Sequence, residues 1–487
     1  MHPVAGVDTV ILLDEVGWRY TGADTPVLNG LTLHIARGET VLLCGASGSG
    51  KSSVLRLMNG LIPHFHEGEL DGGVYLDGRT VAELPLDQIG RLTGTVLQHP
   101  RRQFFNASVD SELAFASENF GEPPERIRHR VSEVTDQYGL APFTMTQLRD
   151  LSGGQQQRVA CAAAVTHRPE LLLFDEPTSN LAPAAIADFA TALSRLRASG
   201  ATLVIAEHRL HFLPGLVDRV VVLRDGSVET EWSGEEFSRI DENTLTAKGL
   251  RSLTAPQTRC LPTTWARGRS VAAELTRVVA AGDDGMTLRG VGCSFRGRRV
   301  LDIDEAHFPA GKVTAITGPN GAGKSTLARI VVGLQRHDGQ IFLDGRRISR
   351  GDRLRMSAIV MQDVQRQLFT DSVQAELRLG VPSQARAQVR NQLEEFGLDQ
   401  FSDRHPLSLS GGQQQRLVVA VAKLSGRRIV VFDEPSSGVD RKHLRAIAGV
   451  VRALAEDGAV VLLISHDGEL LALAADQELR LRARLAG

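Results

Sequence analysis

Apolar residues in this chain gather into short unbroken runs that end in glycine, an acidic residue or histidine. TVLLCG (40–45), LLLFD (171–175) and ATLVIAEH (201–208) are answered later by VTAITG (313–318), IVVFD (429–433) and AVVLLISH (459–466). Runs without polar alternation suit strands buried on both faces, so they predict a parallel sheet. Stretches rich in Ala, Leu and Arg lie between them, such as AAIADFATALSRLRA (184–198). Strands alternating with helices predict crossover connections and an α/β fold.

The pattern occurs twice. LSGGQQQR stands at 151–158 and again at 409–416, and Asp175, Glu176 and His208 recur 258 residues on as Asp433, Glu434 and His466. Upstream the spacing widens to 273 residues between Lys51 and Lys324 and to 264 between Gln98 and Gln362, differences that locate surface insertions. Residues 236–285 carry none of these landmarks. The expected organisation is a first domain at 1–235, a linker at 236–285 and a second domain at 286–487, each domain large enough for one two-lobed nucleotide-binding unit.

Composition narrows the class. The 487 residues are 42% apolar and 23% charged, which excludes a disordered or fibrous chain. The net charge of −2 provides no field to attract nucleic acid, so any anion site must be local. Four cysteines without CxxC spacing suit a reducing compartment. The first apolar run ends at Asp14 and Glu15, and no stretch nears the roughly 20 apolar residues of a membrane helix. A role in transport would leave the spanning to other chains.

The chemistry is concentrated at the strand ends. GASGSGKSS (45–53) and GPNGAGKST (318–326) both fit GxxxxGK[ST] between a predicted strand and helix. Gly45, Gly48 and Gly50, with Gly318, Gly321 and Gly323, let the backbone wrap a phosphate chain, while Lys51 and Lys324 reach its outer charges. Ser52 and Ser325 offer hydroxyls to Mg²⁺, and Ser53 and Thr326 extend the cradle. Asp175 and Asp433 end strands where a carboxylate can hold Mg²⁺. Glu176 and Glu434 come next and are placed to polarise a water for attack on a terminal phosphoryl group. His208 and His466 can hydrogen-bond that phosphate, and Gln98 and Gln362 can ligate Mg²⁺ or the attacking water. Ser152, Gly153 and Gly154, with Ser410, Gly411 and Gly412, open predicted helices and form a second anion-binding terminus per half. One nucleotide does not need both termini from one half, so each half is expected to complete the other's site.

These motifs, in this order and twice over, resemble the ATP-binding cassette (ABC) family. The resemblance implies two tandem P-loop nucleotide-binding domains, each with a RecA-like core and a helical signature subdomain, that bind ATP and Mg²⁺ and hydrolyse ATP. It also implies a head-to-tail pairing in which the Lys51 site is closed by Ser410, Gly411 and Gly412, and the Lys324 site by Ser152, Gly153 and Gly154. The family's adenine-stacking aromatic falls on Tyr20 and Phe295, where an ordinary core aromatic is the competing assignment.

A narrower resemblance, carried by NGLIPHF (59–65) and by Gln103 and Gln367 five residues after Gln98 and Gln362, is to the duplicated ATPases of energy-coupling factor (ECF) importers. It implies a transmembrane coupling subunit, a membrane substrate-binding subunit for a vitamin, vitamin precursor or metal ion, and a peripheral place on the cytoplasmic face of the membrane. Phe104, Phe105 and Leu368 are then expected to face the membrane partner. Soluble twin-cassette proteins acting on ribosomes and the fused ATPases of sugar importers are the alternatives. Two departures set the halves apart: Ala182 stands where the second half has Asp440, and Glu207 precedes the first histidine where Ser465 precedes the second.

Overall fold

The structure is a computed structural model. It describes residues 8–98, 100–179, 181–255, 261–263, 266–271, 284–295, 297–361, 364–379, 381, 383–409 and 411–482. Two compact units divide the chain, Met1–Ala255 and Pro256–Gly487.

In the first unit the six-stranded sheet runs Ser227–Ser233, Arg219–Arg224, Thr40–Gly45, Thr202–Ala206, Leu171–Asp175, Thr93–Val96. All its pairings are parallel except that of Ser227–Ser233. The unbroken apolar runs are explained by what lies on each face. Alternate residues Leu42, Cys44, Leu172, Phe174, Leu203 and Ile205 enter a core with the helices. Their neighbours Val41, Leu43, Leu171, Leu173, Val204 and Ala206 enter a second core against an antiparallel sheet built on Thr9–Tyr20. A strand with a core on both sides has no polar face to show.

The second unit repeats this plan. Its parallel sheet runs Ser357–Val360, Ile429–Asp433, Val460–Ile464, Val313–Thr317, Gln477–Arg480. Phe432, Val461 and Leu463 face one core, and Val431, Leu462 and Ile464 the other. In both sheets the register sets the acidic strand end level with the last residue of the strand before the histidine: Asp175 pairs with Ala206 and Asp433 with Ile464. The spacing between copies falls from 273 residues at Lys51 to 267 at Asp77, so part of the insertion lies in the segment containing the short helix Leu61–His64.

Within the region expected as a linker, described residues on both sides of 256–260 are folded. Ser233 and Glu236 form a capping box for the helix Gly234–Arg239, Asp241 caps Glu242–Ala247, and Phe237, Leu245 and Leu250 are buried in the first unit's core. On the other side, Ala266–Arg267 pairs with Arg298–Pro309, and the Pro262 carbonyl accepts from the Glu478 amide at 2.9 Å. The packed part of the first unit thus runs past 235, and backbone pairing draws 261–263 and 266–271 into the second unit. The signals were present in the S-x-x-E cap and the apolar spacing that follows it, but they have no copy in the second half and so fell outside the repeat.

Candidate nucleotide sites

The strand Thr40–Gly45 feeds a loop that enters the helix Lys51–Met58. Gly45, Gly48 and Gly50 all have positive φ (145°, 85° and 100°). A Cβ at Gly45 would collide with the Leu223 carbonyl oxygen, and one at Gly50 would lie 2.6 Å from Leu28 Cδ2. Gly48 has open space beside it. The loop therefore needs glycine for conformation at all three positions and for clearance at two. Lys51 is buried and its Nζ donates to the carbonyls of Gly45 and Ala46 at 3.0 Å each, which fixes the ammonium inside the loop. Ser53 turns away, its hydroxyl 3.1 Å from that of Tyr20.

Across from the loop, the Ser52 hydroxyl donates to Asp175 Oδ1 at 3.0 Å. Burial, and then the charge of Glu176, push the Asp175 carboxyl up to about 6, against the pull of Ser52, Arg56 and Lys51. Glu176 has φ 46°, in the left-handed region that is strained for a glutamate. That turn aims its carboxylate at two partners: Gln98 Nε2 donates to Oε2 at 2.8 Å, and His208 Nε2 lies 3.4 Å from Oε1. Gln98, Asp175, Glu176, His208, Lys51 and Ser52 thus meet at one sheet edge from four separate segments.

The second unit repeats the arrangement. Gly318, Gly321 and Gly323 have φ 133°, 80° and 98°, and Lys324 Nζ donates to the carbonyls of Gly318 (2.8 Å) and Pro319 (3.2 Å). Burial lowers the Lys324 pKa, countered by Glu434 and Asp433. Burial raises that of Asp433, countered first by a hydrogen bond from Ser325. Thr326 follows in the same helix, half-buried. Glu434 repeats the strained φ at 54°, with His466 Nε2 3.7 Å from Oε1 and the His466 amide donating to Oε2 at 3.2 Å. Gln362 and Ser410 lie outside the described residues.

Ser152 caps the helix Gly153–Thr166, in a reciprocal box with Gln155. Gly153 is exposed with open space around it, and Gly154 is half-buried near Ala185. Gly411 and Gly412 start the matching helix Gly411–Leu424, and Gly411 is likewise open. Tyr20 is tied down in the first unit: Arg56 donates to its hydroxyl at 3.0 Å, and Trp18 and His66 meet its ring in edge contacts. Phe295 is 43% exposed.

The second glutamines point inward. Gln103 Oε1 accepts the Leu97 amide at 3.0 Å, and Gln367 Oε1 accepts that of Met361 at 2.7 Å, each closing its loop onto the preceding strand. Of the neighbours expected at a membrane partner, Leu368 is buried and Phe104 packs on the core, whereas Phe105 is 75% exposed. Phe369, not singled out from sequence, is its counterpart at 76%. Also unforeseen are the buried Glu112 and Glu376, which accept the amides of Phe105 and Phe369 at 3.0 Å each, and Gln156 and Gln414, which tie the signature helices to Arg101 (3.1 Å) and Gln365 (3.2 Å). The repeat itself was the available signal, since each pair recurs at the spacing of its flanking motif.

Two glycine loops with buried lysines, each facing a Ser–Asp pair and a Glu–His pair, define a tandem P-loop nucleotide-binding protein. The chain belongs to the ABC transporter family, whose model matches residues 28–179 and 301–437. It is an ATPase of two fused cassettes coupled to transport, the kind of subunit that works with membrane subunits. It is 38% identical over 463 residues to a Treponema denticola protein named as an ABC transporter ATP-binding protein, covering 95% of this chain and 93% of that one. It is 29% identical over 492 residues to YkoD of Bacillus subtilis, named as an HMP/thiamine import ATP-binding protein, covering 97% and 90%. Among solved structures, an RNase-L inhibitor aligns with a TM-score of 0.60 over 96% of this chain and 88% of that one; at 21% identity this shows the fold alone.

Proposed function

We propose that this chain is the ATP-hydrolysing subunit of an ECF-type importer, binding two Mg-ATP between head-to-tail halves and powering uptake of a vitamin, vitamin precursor or metal ion through separate membrane subunits. The observation that carries it is the doubled pairing of a glycine loop, a Ser–Asp pair and a Glu–His pair with an exposed phenylalanine, Phe105 or Phe369, at the end of the loop after the first glutamine. The name of the Bacillus subtilis relative favours a thiamine precursor as solute. No helix among the described residues is long and apolar enough to cross a membrane, which accords with a peripheral subunit on the cytoplasmic face.

The residues present fit the two groups. Gly48, Gly321, Gly153 and Gly411 leave open space beside the backbone, where a polyphosphate has room to lie. A Ser hydroxyl beside a buried carboxylate is a hard oxygen donor set, and burial, with the Glu176 charge second, raises the Asp175 pKa, a penalty on the ionised form that a bound divalent cation would offset. Ser52 and Asp175, with Gln98, would hold Mg²⁺ in the first half; Ser325 and Asp433, with Gln362, would hold it in the second. The bound ion supplies charge neutralisation at the phosphate oxygens. Lys51 and Lys324 stabilise the outer phosphates, while Glu176 and Glu434 accept the proton of the attacking water. His208 and His466 hold each glutamate and the terminal phosphate in register. In the proposed pairing, Ser152–Gly154 and Ser410–Gly412 would offer helix N-termini to the nucleotide of the opposite half. Tyr20 and Phe295 lie beside the base.

Purifying the chain from its native membrane and identifying what accompanies it tests the reading. One polytopic coupling protein and one small membrane protein that binds a vitamin or metal are expected. Ribosomes, or a sugar permease, would replace it with one of the two alternatives.

A further inference from the structure

Glu207 is 1% exposed, one residue before His208. A carboxylate so deeply buried persists only when its lone pairs are filled, and here two loops fill them. Oε2 accepts the Thr178 amide at 3.2 Å and the Thr178 hydroxyl at 2.7 Å; Oε1 accepts the amides of His208 at 2.7 Å and Arg209 at 3.0 Å. Arg209, also buried, reaches back across the same gap, and its Nη1 donates to the carbonyls of Thr178 and Leu181 at 3.1 Å each. Every polar group of Thr178 is therefore held from the loop that carries His208.

Thr178 stands two residues beyond Glu176, and strained backbone such as that of Glu176 is kept only where its surroundings over-determine it. The second unit has the same strain at Glu434 with different surroundings. The matching residues are Ser436, Ser465 and Asp467. The Ser436 hydroxyl is buried and has no hydrogen-bond partner among the described residues. Ser465 accepts the Asp467 amide within its own loop at 3.0 Å, and Asp467 caps the helix Gly468–Ala474.

We infer that Glu207 and Arg209 are positioning residues of the Lys51 site: they lock the loop from Glu176 to Leu181 onto the loop of His208, so that glutamate and histidine keep one arrangement before nucleotide arrives. The inference rests on the reading of Glu176 as the base, and the test separates the two.

In a Glu434→Gln background only the Lys51 site turns over. Glu207→Ser, which installs the second unit's residue, should lower kcat about tenfold while the KM for ATP stays within about twofold, because the phosphate loop is untouched and only the geometry of attack is loosened. Thr178→Val, nearly isosteric, should lower kcat in the same way, and Thr178→Ser, which keeps every hydrogen bond, should restore it. Unchanged kcat in both Glu207→Ser and Thr178→Val overturns the inference. So does a KM that rises in step with the fall in kcat, or a Thr178→Ser enzyme as slow as Thr178→Val. Turnover persisting in Glu176→Gln with Glu434→Gln overturns instead the assignment of the base.

Discussion

Asp175 carries a cost that is visible at the scale of one residue. Its folded pKa of about 6 lies above the ordinary value of 3.8, so its ionised form is disfavoured by the nucleotide-free fold. The sign follows: the penalty is absent below the ordinary value, grows as pH rises towards 6, and is fully present near neutrality. Asp175→Asn removes it. At neutral pH the nucleotide-free variant should be more stable than the parent by on the order of 2 kcal/mol, yet lose the stabilisation that Mg-ATP confers at that site. Denaturant unfolding with and without Mg-ATP reads both effects, and a less stable nucleotide-free variant contradicts the argument. A site that destabilises the empty fold is what a cation-binding carboxylate implies, since the bound charge returns the energy.

At the scale of elements, the segment after each first glutamine is tied to the structure around it. Gln103 and Gln367 fasten the loop to the strand that precedes it, Glu112 and Glu376 hold the amides of Phe105 and Phe369, and Gln156 and Gln414 tie the loop to the signature helix. If the proposed membrane partner docks on the exposed phenylalanine, these contacts link it to both the loop of Gln98 and the helix opened by Ser152. Phe105→Glu and Phe369→Glu should abolish coupled uptake in membrane vesicles and leave detergent-solubilised ATP hydrolysis near the parent rate. Phe105 stacks on Phe115, at 4.8 Å, and loss of that ring pair costs the fold about 1 kcal/mol. Uptake that survives both substitutions places the docking surface elsewhere. Leu368, buried as it is, belongs to the core, and a charge there would test stability rather than docking.

For the whole molecule, the two ATP sites are predicted to be unequal. In the proposed head-to-tail pairing, the loop after the first half's Asp175–Glu176 serves the Lys324 site, and that loop offers Ala182 where the second half offers Asp440. Ala182 has no side-chain acceptor, whereas Asp440 accepts the His443 amide at 2.9 Å and has His443 Nδ1 at 2.8 Å. Loss of one positioning group costs about tenfold in rate, or roughly 1.4 kcal/mol. Glu176→Gln, which leaves the Lys324 site running, should therefore hydrolyse ATP more slowly than Glu434→Gln, which leaves the Lys51 site. Steady-state ATPase rates of the two variants decide it, and equal rates or the reverse order overturn the asymmetry.

The duplication, the α/β class and the composition of each site were legible in the chain because they are written locally. A glycine loop needs its positive φ at fixed offsets, a doubly covered strand needs an unbroken apolar run, and the copy repeats both. The encounters between distant segments were left to the tertiary structure. Ser52 meets Asp175 across 123 residues, Gln98 meets Glu176 across 78, and Glu207 meets Thr178 across 29. Tertiary packing also decided that Phe105 is exposed while Leu368 is buried, that Gln103 turns inward, and that residues on both sides of 256–260 fold with their neighbouring units. Local spacing states which groups a loop can offer. Which way each side chain turns depends on the residues packed around it, and those arrive from strands far away in sequence.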